Sequence, residues 1–150
     1  MLIALSVIST TLVGLMVGVE FAVAFIVPHN LRSLPVREYL IARADGARMM
    51  GRLMPFWYFS SLAFTIVLAV FTWGTSVATL TLTAGALLVM SVIMSVALLV
   101  PINNRSAGWT AENHPADWRD QLRRWDRLHI VRVALILSAF VLVAVATAVL

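Results

Sequence analysis

The chain has 150 residues, of which 61% are hydrophobic, and its mean hydropathy is +0.95. A soluble domain is about 45–50% apolar, so this composition excludes an ordinary water-soluble globule, and the lack of Cys excludes disulfides and thiolate metal sites. The net charge is +4 and every basic residue is Arg; the Arg are interleaved with acids and no stacking motif accompanies them, so nucleic acid is not an expected partner.

The apolar residues come in runs. Four stretches, about 3–27, 56–74, 77–100 and 130–149, exceed the roughly 18 residues that mark a membrane-spanning helix. The expected fold is therefore all-α: a single membrane domain, 1–150, built as an integral four-helix bundle. The first run lacks a basic leader and a small-residue cleavage site, so it reads as a retained helix rather than a signal peptide. Gly14 and Gly18 stand in it in G-x-x-x-G spacing with Thr10 and Ala22, a pattern that lets helices approach closely. Glu20 is the only acid within an apolar run. It lies about 11–12 Å deep at 1.5 Å per residue. Such a group costs roughly 2.5–3.5 kcal/mol to insert, so it is expected to face the bundle interior with a partner. It projects from a face roughly opposite the two glycines. Pro28 is expected to end this helix.

Residues 28–55 form the first charged loop, with Arg32, Arg37, Arg43, Arg48 and Arg52 against Glu38 and Asp45. Residues 35–53 read as an amphipathic helix near lipid headgroups. Pro55 is expected to open the second span, where Phe56, Trp57, Tyr58 and Phe59 suit the interfacial aromatic belt. A flat aromatic ligand is the competing use of that cluster. Residues 73–76 read as a tight turn into the third span, making an antiparallel hairpin. That span carries Ser91 and Ser95, read as helix-packing residues, and is expected to end at Pro101.

The second charged loop, 101–129, is the richest in chemistry. Pro115, Asp117 and Asp120 suit the positive start of a helix, with Asp120 and Arg124 as an i, i+4 pair. From about 115 the helix is expected to run into the fourth span as an extension on the charged side. Trp118, Leu122, Trp125, His129 and Arg132 then share one face. Four spans place both Arg-rich loops on one side. The positive-inside rule makes that side cytoplasmic and both termini external, in a bacterial inner or plasma membrane. The Arg-only, Ala/Val-rich composition is consistent with a high-GC bacterial genome.

His129 and Arg132 stand at i, i+3 where the fourth helix meets the membrane. With the third helix ending at Pro101, Asn103, Asn104 and Arg105 are expected beside them; Asn offers donors and acceptors, and Arg a fixed fork for an anionic oxygen. His29 is a third polar candidate at that level. Glu20, His29 and His129 have ligand chemistry, but no H-x-x-x-H or E-x-x-H spacing supports a metal. No phosphate loop, G-x-S-x-G or C-x-x-C is present.

The four-span layout, VGVEFAVAFIVPHNLRSLP, MPFWY and above all PINNR…W…RRWDRLHIVR resemble the anthrone oxygenase-like family of small membrane proteins, over nearly the whole chain. Much of that family is a domain of unknown function. The resemblance implies a monooxygenase of polyketide biosynthesis that oxidises the central methylene of an anthrone to a quinone with molecular oxygen, without flavin or haem. No cofactor beyond O2 as co-substrate is expected, and the partners are a hydrophobic small molecule, the bilayer and, since four helices enclose little volume, a second copy of the chain. Loss of a proton makes an anthrone electron-rich enough to pass an electron to oxygen. The site then needs a base, an oxyanion cradle and a flat apolar slot. Carried onto this sequence, the base is His129 or Glu20. Arg105, Arg132, Asn103 and Asn104 make the cradle, and Trp57, Tyr58, Trp109 and Trp125 the aromatic walls. Two other uses fit the same residues: a cofactor-free cyclase, isomerase or pericyclase, and a non-enzymatic scaffold in which Glu20 and Arg132 form a structural pair.

Overall fold

The structure, a computed structural model, describes residues 1–150. Four long helices account for it: α1 (Leu2–Leu31), α2 (Val36–Phe71), α3 (Ser76–Ser106) and α4 (Trp118–Ala148), all long and apolar enough to cross a membrane. There are no strands. The chain is thus a multi-pass, all-α membrane protein. Apolar side chains cover most of its outer surface, as a lipid solvent requires. Ser and Thr hydroxyls within the spans donate back to the carbonyl one turn earlier, as Thr65 does to Ser61 and Thr81 to Val77.

The helices neighbour one another in a ring, with α1 against α2 and α4, and α3 against α2 and α4. Mainly apolar side chains fill the centre: Val13, Met16 and Val17 from α1, Met54 and Tyr58 from α2, Ala84 and Leu88 from α3, and Ile136, Ala139 and Val143 from α4. Gly14 lets α1 meet α4, for a Cβ there would stand 2.9 Å from Phe140 Cε2, whereas one on Gly18 would meet nothing. Only the first glycine of the G-x-x-x-G pair therefore serves packing within the bundle. Thr10 and Thr147 hydroxyls bond at 2.8 Å across the same seam. The α2–α3 turn relies on Gly74, whose φ of +84° lies in the left-handed region.

The three span-internal prolines do not break helices where expected. Pro28 and Pro101 lie inside α1 and α3, and each follows a wide turn, Ala22–Ile26 and Ser95–Leu99, that begins six residues before it. There the backbone bonds i to i−5: Val27 N–H to Ala22 O and Val100 N–H to Ser95 O. A proline normally clashes with the carbonyl at i−4; the widened turn moves that carbonyl aside, so the helix continues. Pro55 likewise sits within an unbroken α2. Residues 35–53 are accordingly not a separate surface helix. They extend α2 out of the membrane, because Leu40 finds an apolar partner in Trp118 and Leu122 of α4, with Val36, Tyr39 and Trp109 around them. Arg43 pairs with Asp126 at 2.9 Å in the same seam. The start of α4 also differs in detail, since Asp120 pairs with Arg123 rather than Arg124.

The wide turns lie in a repeat. Val27-Pro28-x-Asn30-x-Arg32-Ser33 recurs as Val100-Pro101-x-Asn103-x-Arg105-Ser106, and Val36-Arg37-Glu38-Tyr39-Leu40 echoes Trp118-Arg119-Asp120-Gln121-Leu122. Thus α1–α2 and α3–α4 carry the same local motif at matching places, the second with a longer connection. Their surroundings have diverged. Ile102 and Ser106 are buried, while their counterparts His29 and Ser33 are exposed, because Trp125 of α4 packs on Leu99 and Ile102.

Candidate functional site

Both wide turns lie against α4, at the level where its outer extension enters the membrane. The i, i+3 and i, i+4 spacings of helix geometry line up Trp125, His129 and Arg132 there, and all three are turned inward. Glu20, two residues before the wide turn of α1, meets them. Arg132 Nη2 donates to Glu20 Oε2 at 2.5 Å and to His129 Nδ1 at 3.0 Å, and its Nη1 donates to Ser95 Oγ at 2.9 Å. The Tyr58 hydroxyl donates to Glu20 Oε1 at 3.2 Å. Each of the four helices thus contributes a polar group to one buried cluster. Glu20 is 2% exposed, His129 0%, Tyr58 6% and the Arg132 side chain 12%.

The bonds assign protons. Nδ1 of His129 accepts from Arg132, so its lone pair is engaged. Nε2 then carries the hydrogen and donates to the Glu20 backbone carbonyl at 3.2 Å. His129 is a neutral ring that holds Arg132 and α1 in place. Its face stacks on Trp125 at 4.8 Å between centroids, and the Arg43 guanidinium lies 4.9 Å from the same indole. A column therefore runs from the charged end of the bundle inward: Arg43, Trp125, His129, Arg132, then Glu20 and Tyr58. Within it two donors have no acceptor although buried, Trp125 Nε1 and Arg132 Nε. Buried polar groups are normally satisfied, and within the column these two are the exceptions.

Of the residues singled out from the sequence, Glu20, His129, Arg132, Trp125 and Tyr58 come together. The rest do not. Asn103 is half-buried, and Asn104 and Arg105 are exposed. Arg105 Nε donates to Pro101 O at 3.1 Å instead. The cause is the unbroken α3, which carries these residues eight to ten positions past Ser95, about 12–15 Å along the axis. His29 is displaced in the same way by the unbroken α1. It is exposed, and no three His, Asp or Glu side chains gather anywhere. Trp109 packs outside the membrane span against the Leu40–Trp118–Leu122 cluster. Trp57 is half-buried and donates Nε1 to Leu12 O at 3.0 Å, tying α2 to α1, while Phe56 and Phe59 face outward.

Two members carry roles the sequence did not suggest. Ser95 was expected only to pack, yet it accepts from Arg132; its place at the head of a Pro-interrupted turn was the available signal. Tyr58 was expected as an aromatic wall, and it bonds the acid.

The geometry defines a class: a small polytopic membrane protein whose four spans close around one buried acid–arginine–histidine–tyrosine cluster. A model of the anthrone oxygenase family matches residues 52–142, more than half the chain. The protein belongs to that family. The matched stretch holds Tyr58, Ser95, Trp125, His129 and Arg132, but not Glu20. No curated protein and no solved structure matches the chain.

Proposed function

We propose that this protein is a cofactor-independent, membrane-embedded oxygenase that takes an anthrone-like aromatic substrate from the bilayer. Its Arg-rich end would face the cytoplasm and both termini the outside. The observation that carries the proposal is the unpartnered buried donor Arg132 Nε, on the side chain that pairs with the Glu20 carboxylate, with Trp125 Nε1 a second such donor two turns earlier on α4. An enolate oxygen needs such donors, and a C–H acid needs such a base.

Glu20 is the base in this scheme. The lone pair of His129 is already engaged by Arg132, so His129 positions the arginine instead. Arg132 and Ser95 keep some exposure, and the substrate approaches from their side. Glu20 removes one proton from the central methylene, the enolate oxygen sits on Arg132, and Trp125, about 10 Å away along α4, takes a second oxygen of the substrate. The enolate passes one electron to O2, and the resulting superoxide and carbon radical combine to a peroxide. Removal of the second methylene proton breaks the O–O bond. The carbon leaves as a carbonyl and the other oxygen as water, so CH2 plus O2 becomes C=O plus H2O.

The test is oxygen uptake by the purified full-length protein supplied with anthrone. Uptake should exceed spontaneous autoxidation severalfold and yield the quinone. In Glu20→Gln, checked for intact folding, it should fall to the background. Turnover without oxygen uptake would instead support a cyclase or isomerase. A structural clasp is the alternative favoured by one observation: both carboxylate oxygens of Glu20 already have partners. A folded Glu20→Gln protein with wild-type turnover would establish the clasp and sink the base.

A further inference from the structure

At the charged end of the bundle, α3 stops and α4 begins around a small cleft of about 160 Å³, lined by Ile102, Arg105, Asp117, Gln121 and Arg124. Its two arginines have no acid of their own. Asp120 is taken by Arg123, Asp126 by Arg43 and Glu20 by Arg132. Arg105 spends only Nε on the Pro101 carbonyl, which leaves its outer nitrogens free. Asp117 is held through both oxygens by Gln121 Nε2, at 3.1 and 3.2 Å. That contact fixes the amide orientation and leaves Gln121 Oε1 buried with no donor. The cleft therefore presents two cations, one anion and one acceptor lacking a hydrogen.

A ligand that completes it has one negative charge and carries a hydroxyl a few atoms away. A phosphodiester with a glycerol head has that chemistry: its oxygens suit the planar guanidinium forks, and its hydroxyl supplies the missing donor. The depth also fits. Arg105 lies three residues past the buried Ile102, and Arg124 six before the apolar run that starts at Ile130. Both fall near the headgroup layer, which adds about 5–8 Å to each side of the hydrocarbon. The repeat supplies an internal contrast. Arg32 is the counterpart of Arg105, but the depression beside it is lined only by His29, Asn30, Arg32 and Ser33, with no second arginine.

We propose that the cleft between the end of α3 and the start of α4 binds the headgroup of an anionic glycerophospholipid, its phosphodiester on Arg105 and Arg124 and its glycerol hydroxyl on Gln121 Oε1. This site is separate from the Glu20 cluster and stands whether or not that cluster is catalytic.

The experiment is a thermal melt of the full-length protein in detergent, titrated with phosphatidylglycerol, phosphatidylcholine or soluble glycerol phosphate. Phosphatidylglycerol should raise Tm saturably by about 5 °C at concentrations well above its Kd, and phosphatidylcholine by much less. The Arg105→Gln/Arg124→Gln variant should lose the difference between the two lipids, whereas Arg32→Gln should keep it. Both replaced side chains are exposed, so the variant should melt near the wild-type temperature without lipid. Equal shifts from the two lipids, or a preference that survives the double substitution, would overturn the site. An equal shift from glycerol phosphate alone would overturn the lipid as its source.

Discussion

Glu20 and Arg132 make the sharpest test, because the two partners are unequal when left alone. In Glu20→Gln the amide can still accept one hydrogen bond, but a guanidinium stays buried without a counter-charge. Arg cannot give up its proton within a protein, and besides that amide only the neutral acceptors Ser95 and His129 remain for it. Breaking a buried ion pair from one side costs about 3–5 kcal/mol. At about 2–4 °C per kcal/mol for a chain of this size, Tm should drop by roughly 10 °C. In Arg132→Met the orphan is a carboxylic acid, which can take up a proton and become neutral, still bonded to Tyr58. That loss should be smaller. Glu20→Gln/Arg132→Met removes both charges and leaves a neutral interior, so it should melt above Glu20→Gln alone. The assay is the four-member cycle of melts in one detergent. If the double variant shows the sum of the single losses, the two residues act independently and the Glu20–Arg132 ion pair has no energetic content.

Other substitutions follow from the same contacts. Gly14→Ala should destabilise by about 1–3 kcal/mol, since Phe140 must shift, while Gly18→Ala should leave the melt unchanged; equal effects would argue against the α1–α4 seam. Tyr58→Phe removes the hydroxyl that holds Glu20. It should cost about 1 kcal/mol and lower kcat for oxygen uptake more than it raises KM. Trp125→Phe keeps a ring to stack on His129 but deletes the unpartnered indole N–H. A fall in kcat/KM with a near-normal melt is expected, and unaltered turnover would remove that donor from substrate binding. Asp126→Asn breaks a half-buried pair with Arg43 and should cost about 1 kcal/mol, an effect that added salt diminishes.

The four spans and the inward face of α4 were legible because bilayer thickness and the 3.6-residue period leave few alternatives for such apolar runs. Glu20 was legible as an interior residue for the same reason: one acid in a long apolar run has to find a partner. Helix boundaries were not. Proline reads as a helix boundary, an end at Pro28 and Pro101 and a start at Pro55; the rule holds for regular α-helix, and the wide turns before Pro28 and Pro101 remove the clash on which it rests there. That one error placed Asn103, Asn104, Arg105 and His29 too deep and joined them to a site that they do not reach. The repeat of V-P-x-N-x-R-S is visible in the sequence, and it marks both wide turns. The two wide turns stand at matching places in the two halves, as Pro-interrupted segments do at membrane binding sites, and here they flank the cluster.

Because each hairpin crosses the membrane twice, α1–α2 and α3–α4 enter it with the same orientation. The buried charges are divided between them: Glu20 comes from the first hairpin, and Arg132 and His129 from the second. Either hairpin alone would hold an uncompensated charge deep in lipid, which is costly. The ion pair therefore makes each half dependent on the other, and it adds a specific electrostatic contact to the packing between them.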